Sequence, residues 1–465
     1  MPVLLMNLHR LRRALGVDRA VGFTILARSW SIAGGLVNIL LIARLLSPAG
    51  QGYYYTFASL VQLQTVFELG FSFVVLQLAA HETAHLKIGA DGTITGSEVA
   101  HSRLASILQK SVRWYSIAAI LMVIGLLSAG LRFFSTHQHP EESVAWKLPW
   151  ICVAIATTLT FQMDPIFSFL EGCGFVSNVA RLRLRQAIAG SLLAWSAFLL
   201  HRGLYAPACL IMGQAVMGLF FLISNQRLLL SLLRHRTRGS SISWTHEIWP
   251  FQWRIAVSFL CGYFILPLFN PVLFAYRGAT EAGRMGMSIT IATALGTVAY
   301  SWVNTKTSPF GNMIARQEYI ALDGVFFTVV RQSAGFLFIA ETGVLILLVF
   351  AKSHFPHLAS RVLSIPLFAI ILLTSFLLHL VFCEAAYLRA HKREPFLILS
   401  ILVACLTAAS TILAGRCWGA AGMTIGYFIW GGIFQLAFGT YIFTRSRREW
   451  HGTTKKLDLT NSRYF

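Results

Sequence analysis

The sequence predicts an all-α integral membrane protein, with about twelve transmembrane helices in two six-helix lobes around a central cavity. Apolar residues make up 56% of the chain and recur in runs of about 20, each long enough to cross ~30 Å of hydrocarbon as a helix. Only 12% of residues are charged, about half the ~25% of an ordinary soluble protein. The basic residues fall mostly in short connections on alternate sides of those runs, the pattern of cytoplasmic loops.

Taken in order, the spans cover residues 20–46, 53–80, 114–134, 149–171, 176–200 and 204–224, then 250–275, 285–307, 326–351, 363–388, 394–415 and 421–444. The first is too long for a signal-peptide core and has no small-residue cleavage pattern before Arg44, so it reads as an uncleaved span. Pro/Gly-rich or charged connectors such as Ser47-Pro-Ala-Gly-Gln-Gly52 and Ala390-His-Lys-Arg-Glu-Pro395 separate neighbours. Pro267 and Pro271, with Asn270 between them, break the seventh span, and a discontinuous helix often lines a substrate path.

Two connectors are longer. Residues 83–112 end in a stripe of Leu104, Ile107, Leu108 and Val112, and residues 225–249 carry Leu228-Leu-Leu230 before Arg234-His-Arg236. Both read as amphipathic helices on the inner membrane surface. The expected organisation is an N-terminal lobe (1–224), an amphipathic cytoplasmic linker (225–249), a C-terminal lobe (250–445) and a basic cytoplasmic tail (446–465). Pro48-Ala-Gly-Gln-Gly52 is echoed half a chain later by Glu281-Ala-Gly-Arg-Met-Gly286, which suggests a parallel repeat of six spans.

Orientation follows from the basic residues. The N-terminal side receives Arg10, Arg12, Arg13, Arg19, Lys87, Arg103, Lys110, Arg113, Arg227, Arg234, Arg236, Arg238, Arg389, Lys392, Arg393 and the tail. The other side has fewer, so both termini are expected in the cytoplasm. The net charge of +20 does not signal nucleic-acid binding, because no stretch carries a solvated basic face.

Polar groups are costly in hydrocarbon, so their placement carries the functional signal. Span 1 aligns Arg28, Ser31, Gly35 and Asn38; span 2 stacks Gln64, Glu68 and Ser72. Span 4 aligns Thr157, Thr160, Asp164, Ser168 and Glu171; span 8 aligns Thr290, Thr293, Thr297, Ser301 and Asn304. Four such stripes predict a hydrated cavity. Arg28, Arg254, Arg181 and Arg185 cluster in its cytoplasmic third, a basic vestibule suited to an anionic headgroup such as a phosphate or diphosphate. Glu68, Asp164, Asn38, Gln64 and Asn304 are its polar or ion-coupling candidates.

Other readings stay open at this point. Cations within two turns of a helix end commonly snorkel to the interface, Thr/Ser stripes pack helices as well as line cavities, and Arg28 with Glu68 can form a structural ion pair. Arg181, Arg183 and Arg185 cannot all face one way on a helix.

Chemistry is harder to find. Seven cysteines lie singly with no C-x-x-C, and His137-x-His139 has no third ligand nearby, so neither a disulfide framework nor a metal site is expected. No Walker A sequence, catalytic constellation or cofactor motif stands out.

Ala43-Arg-Leu-Leu-Ser-Pro-Ala-Gly-Gln-Gly-Tyr53 followed by Phe67-Glu-Leu-Gly-Phe71 resembles the opening of bacterial polysaccharide-export proteins of the Wzx-like type, in the multidrug/oligosaccharidyl-lipid/polysaccharide (MOP) flippase superfamily. Leu170-Glu-Gly-Cys-Gly174, Gly283-Arg-Met-Gly-Met-Ser288, Ala299-Tyr-Ser-Trp-Val-Asn-Thr-Lys306 and Tyr387-Leu-Arg-Ala-His-Lys-Arg-Glu-Pro395 are similar to one branch of these proteins. The resemblance implies two lobes working by alternating access in the bacterial inner membrane, without a cofactor. It implies a polyprenyl-diphosphate-linked oligosaccharide as cargo, with membrane lipids, a glycan polymerase and chain-length machinery as partners. Arg28 and Arg254 match the family's cavity cations on spans 1 and 7. A cation-coupled drug exporter of the same superfamily would instead need an acid-lined cavity. A non-transporting scaffold of a glycan-assembly complex would bury its polar stripes as packing.

Overall fold

A computed structural model describes residues 19–89, 93–138, 144–235, 242–243, 249–391, 393 and 395–461. The chain divides into two compact units, Met1–Leu260 and Cys261–Phe465. Both are built from long helices, because a chain in lipid must satisfy its backbone hydrogen bonds internally.

In the first unit, α1 spans Arg19–Leu45. Ser47 caps α2 (Pro48–Val61), its hydroxyl accepting from the Gly50 amide at 3.0 Å with Pro48 opening the helix. The short α3 (Gln64–Glu68) ends where Leu69 (φ 51°) and Gly70 (φ 66°) both turn left-handed, and α4 (Phe71–Thr83) continues at a 45° bend. The second span is therefore a broken rod.

A small antiparallel hairpin follows, β1 (Leu86–Ile88) with β2 (Ile94–Gly96), Lys87 facing Thr95. Ser97 then caps α5, a single 40-residue helix over Glu98–His137, about 60 Å long. α6 (Lys147–Gly172), α7 (Val176–Leu199), a 3₁₀ turn at Gly203–Tyr205 and α8 (Ala206–Ser224) complete the bundle, followed by α9 (Gln226–Arg234).

The two long connectors depart from expectation. Leu104, Ile107 and Leu108 do not lie on a membrane surface: they are buried in the upstream half of α5, which runs unbroken into the third span. α9 buries Leu228, Leu229 and Leu232. The Gln109 side-chain amide donates to the carbonyls of Leu232 (3.0 Å) and His235 (2.9 Å), the His101 ring stacks on His235 at 4.2 Å, and Lys110 Nζ donates to the Ile242 carbonyl. Both stripes bury part of their apolar surface within the protein, while Leu230 and Leu233 of α9 stay exposed. Residues 236–241 and 244–248 of the expected linker lie outside the described residues.

The second unit begins within α10 (Trp249–Tyr263). Residues 264–268 form a turn before α11 (Phe269–Arg277), so the seventh span is discontinuous at Pro267. Next come α12 (Ala279–Asn304), the short α13 (Thr307–Ala315), the 36-residue α14 (Tyr319–His354), a single turn α15 (Pro356–Ala359) and α16 (Ile365–Ala390). α17 (Leu397–Tyr427) breaks at Gly419, whose φ of 60° lies outside helical space, and runs through a π-helical Phe428–Phe434 into α18 (Gln435–Asn461). Phe310, Phe326, Tyr387 and Phe443 anchor one core of this unit.

By length and composition, 8 stretches among the described residues are apolar and long enough to cross a membrane, or 9 with the bent pair Pro48–Glu68 and Phe71–Thr83. One of them, Leu397–Trp450, is itself two helices across the Gly419 break. The arginine-bearing α7 and the broken α10–α11 pair are the remaining long rods. The protein is a multi-pass membrane protein whose long helices overlap the runs read from sequence, except that α5 starts well before residue 114 and α18 runs on to Asn461, past the expected end at 444.

Candidate functional site

The polar stripes converge most clearly inside the first unit. Glu68 is the last residue of α3, immediately before the Leu69–Gly70 bend. Its carboxylate bonds the Ser72 hydroxyl one turn on, and that hydroxyl lies 2.9 Å from the Tyr115 hydroxyl of α5. Asp164 of α6, one residue before the in-helix Pro165, is close enough to Glu68 and Tyr115 to interact with both electrostatically. Arg183 of α7 acts on Asp164 and also reaches Glu171 at 3.4 Å. Three helices and the broken second span thus hold two acids around a phenol, with one cation shared between Asp164 and Glu171. Gln162 extends the network, its amide donating to the Ser116 hydroxyl at 2.9 Å.

The stripe on α6 does not act as one face. Thr157 and Ser168 are buried in the unit, whereas Asp164 stands exposed. Burial on either side leaves the stripe open in its middle, at Asp164.

The span 1 stripe faces open space. Trp30 and Gly34 form the packed side of α1, where the Trp30 indole donates to the Ser191 hydroxyl of α7 at 3.3 Å and lies 6.0 Å from the Trp195 ring. Arg28 and Ser31 are exposed, and a Cβ on Gly35 would meet nothing within 4 Å. Asn38, half-buried lower on the helix, donates to the Tyr54 hydroxyl at 3.5 Å. No ion pair joins Arg28 to Glu68 among the described residues, so the alternative of a structural lock between spans 1 and 2 gains nothing.

Arg181, Arg183 and Arg185 are all exposed on α7. Arg181 stacks over the Phe23 ring of α1 at 5.0 Å, and Arg183 is paired. Arg185 makes no ion pair among the described residues. Arg254 lies on α10, but its side chain is outside the described residues. Gln64 opens α3 half-buried.

On α12, Thr293, Thr297 and Asn304 are exposed. The hydroxyls of Thr290, Thr293 and Thr297 return to their own helix, donating to the carbonyls of Gly286, Ile289 and Thr293 at 2.7–2.8 Å. Such back-bonding satisfies each hydroxyl within its own helix, and Thr293 and Thr297 face outward from the unit.

Several groups had weak sequence signals. Tyr115 reads as one more aromatic residue in an apolar run. In the second unit Glu341 of α14 is buried and contacts Ser375, and Glu384 of α16 accepts from the Thr440 hydroxyl at 2.8 Å. His379 is buried against Ser333 at 2.9 Å. An acid interrupting an apolar run is the signal for Glu341, and spacing alone says nothing of its partner.

No family model and no curated protein matches the sequence. Solved structures do match the fold. The lipid II flippase MurJ in an inward closed conformation aligns with a TM-score of 0.63 at 13% identity, over 91% of this chain and 89% of that one. An outward-facing multidrug resistance MATE family transporter of the MOP superfamily aligns at 0.54 and 15%, over 94% and 96%. MATE in complex with MaD3S aligns at 0.56 and 14%, over 93% and 96%. The chain therefore shares the fold of these structures over nine-tenths or more of its length.

Proposed function

We propose that this protein is a flippase that carries a polyprenyl-diphosphate-linked oligosaccharide from the inner to the outer leaflet of the bacterial inner membrane, by alternating access, for polysaccharide synthesis. The observation that carries this reading is the open face of α1. Arg28 stands exposed there within the apolar stretch Gly22–Leu45, in line with Ser31 and Gly35, with no carboxylate partner among the described residues. A cation is kept at that depth where it meets water, a counter-ion or a ligand. Arg28, Arg181, Arg185 and Arg254 are the groups proposed to receive the diphosphate, by charge-assisted hydrogen bonds that a guanidinium makes well. Asn38, Gln64 and Asn304 are proposed as hydrated wall, and Glu68 with Asp164 as the ion-coupling pair. Both termini are placed in the cytoplasm by loop charge, with a glycan polymerase and its chain-length machinery as the partners that take the product. The likeness to a lipid II flippase supports a lipid-linked cargo.

One observation favours a second reading. The acids that the fold brings together, Glu68 and Asp164, would suit an organic cation, and MATE transporters share the fold. A cation exporter predicts drug sensitivity when the gene is lost and intact glycan export. The flippase predicts lipid-linked glycan accumulating on the cytoplasmic leaflet, rescued by wild type and not by Arg28→Ala. Normal glycan export in the deletion strain overturns it.

A further inference from the structure

A cavity of about 580 Å³ opens at the end of the first unit away from the hairpin, where α5 gives way to α6. Leu131, Arg132 and Ser135 line it from α5, and Trp146, Lys147 and Ile151 from the start of α6. It plays no part in the polar network around Glu68.

Its floor is rigid. Gly130 lets α6 approach so closely that a Cβ there would lie 2.3 Å from the Trp150 indole, and that indole donates to the Leu126 carbonyl at 3.2 Å. Trp146 is 2% exposed, lies nearly parallel to Tyr53 (12°), sits 5.3 Å from Phe134, and donates to the Gln138 side chain at 3.0 Å. Two cations stand at the rim. Arg132 and Lys147 are exposed, and neither is in an ion pair among the described residues. Lys147 is also the first residue of the 26-residue α6, so the positive end of that helix adds to the same field.

Below the rim the surface turns apolar on both sides. Ile117, Leu121, Ile124 and Leu131 share one face of α5 at helical spacing, and Ile151, Ile155 and Leu159 share one face of α6. Ile117, Leu121, Ile124, Ile155 and Leu159 are all at least 42% exposed. Two cations above two apolar stripes is the arrangement of a phosphate headgroup with its acyl chains. We propose that this cavity binds an anionic phospholipid of the leaflet opposite the hairpin, Arg132 and Lys147 holding the phosphate and the chains lying along α5 and α6; the Ser135 hydroxyl donates to the Arg132 carbonyl at 3.0 Å and is part of the wall. The proposal is independent of what the protein transports.

The test is native mass spectrometry of the full chain in detergent with added phosphatidylglycerol, phosphatidylcholine or inorganic phosphate. Each cation near a membrane surface is worth about a fivefold gain in affinity for an anionic lipid, so phosphatidylglycerol is expected to be retained about thirtyfold better than by R132Q/K147Q. Equal retention by wild type and the double variant overturns the site. So does equal retention of phosphatidylcholine, and displacement by free phosphate overturns the lipid assignment. A photoactivatable phosphatidylglycerol on the wild-type chain needs no variant to fold. It is expected to label residues 131–135 and 146–151, and labelling elsewhere alone contradicts the proposal.

Discussion

The Ser72 hydroxyl lies 2.9 Å from the Tyr115 hydroxyl, joining the far half of the broken second span to the long helix α5. Ser72 also bonds Glu68, so a single hydroxyl links the backbone break at Leu69–Gly70 to the acid pair formed with Asp164. In the proposed ion-coupling role, a change of protonation at that pair acts beside the bend in the second span.

Neutralising either acid should therefore slow transport without unfolding the protein. Glu68→Gln and Asp164→Asn are expected to lower the transport rate about tenfold each, as for loss of ~1.4 kcal/mol in the limiting step. Tyr115→Phe removes one neutral hydrogen bond and is expected to cost about 1 kcal/mol of stability. Transport rate and melting temperature, measured on the same preparations, separate the two effects. Full activity in both acid variants would leave the pair without a role.

Leu69 occupies left-handed backbone (φ 51°), which costs a non-glycine residue about 1–2 kcal/mol. Leu69→Gly is expected to raise stability by up to ~1 kcal/mol, since its added chain entropy offsets part of the relieved strain. A thermal melt in detergent reads the shift, and clear destabilisation would mean that the half-buried Leu69 side chain contributes more by packing than its backbone costs.

At Gly130 the outcome has the opposite sign. A methyl there meets the Trp150 ring at 2.3 Å, in a cluster with Phe57, Phe134 and Trp146 that is fully packed. Gly130→Ala is expected to destabilise by about 1–3 kcal/mol, the usual effect of overfilling a close-packed core. An unchanged melting temperature would show that α5 and α6 can slide apart.

The second unit is tied at one end by Asp323 of α14, which accepts from the Tyr387 hydroxyl of α16 at 2.7 Å and from Arg447 Nε of α18 at 3.1 Å. Arg447 also lies over the Phe327 ring at 5.3 Å. The group is partly exposed, so solvent screening limits its worth: Asp323→Ala is expected to cost about 1–2 kcal/mol and Tyr387→Phe about 1 kcal/mol. A double-mutant cycle between Asp323 and Arg447 measures the coupling, and a value near zero would show no net contribution.

The spans were legible because lipid imposes a coarse rule, and an apolar run such as 367–382 has few other uses. The break at Pro267 was legible for the same kind of reason, since proline removes a donor that the helix needs. Leu69 was not: no glycine or proline marks that residue itself, and Gly70 in an apolar run has several readings. The stripes at Leu104–Leu108 and Leu228–Leu232 announced burial without saying by what: Leu104, Ile107 and Leu108 are covered within the protein, whereas α9 buries Leu228, Leu229 and Leu232 and leaves Leu230 exposed. The same ambiguity holds for the site. Helical spacing put Thr157, Asp164 and Ser168 on one face, but only the neighbouring helices decide that Thr157 is buried and Asp164 is open.

The open face of α1 that carries Arg28 is proposed to serve an anionic lipid-linked cargo. The most direct measurement is reconstitution of the purified protein in liposomes holding a fluorescent polyprenyl-diphosphate oligosaccharide, with translocation followed by quenching from outside. Wild type is predicted to make the inner-leaflet probe accessible at a rate well above empty liposomes, and Arg28→Ala to fall close to them. Wild-type liposomes that quench no faster than empty ones, while expelling an organic cation, would contradict the account.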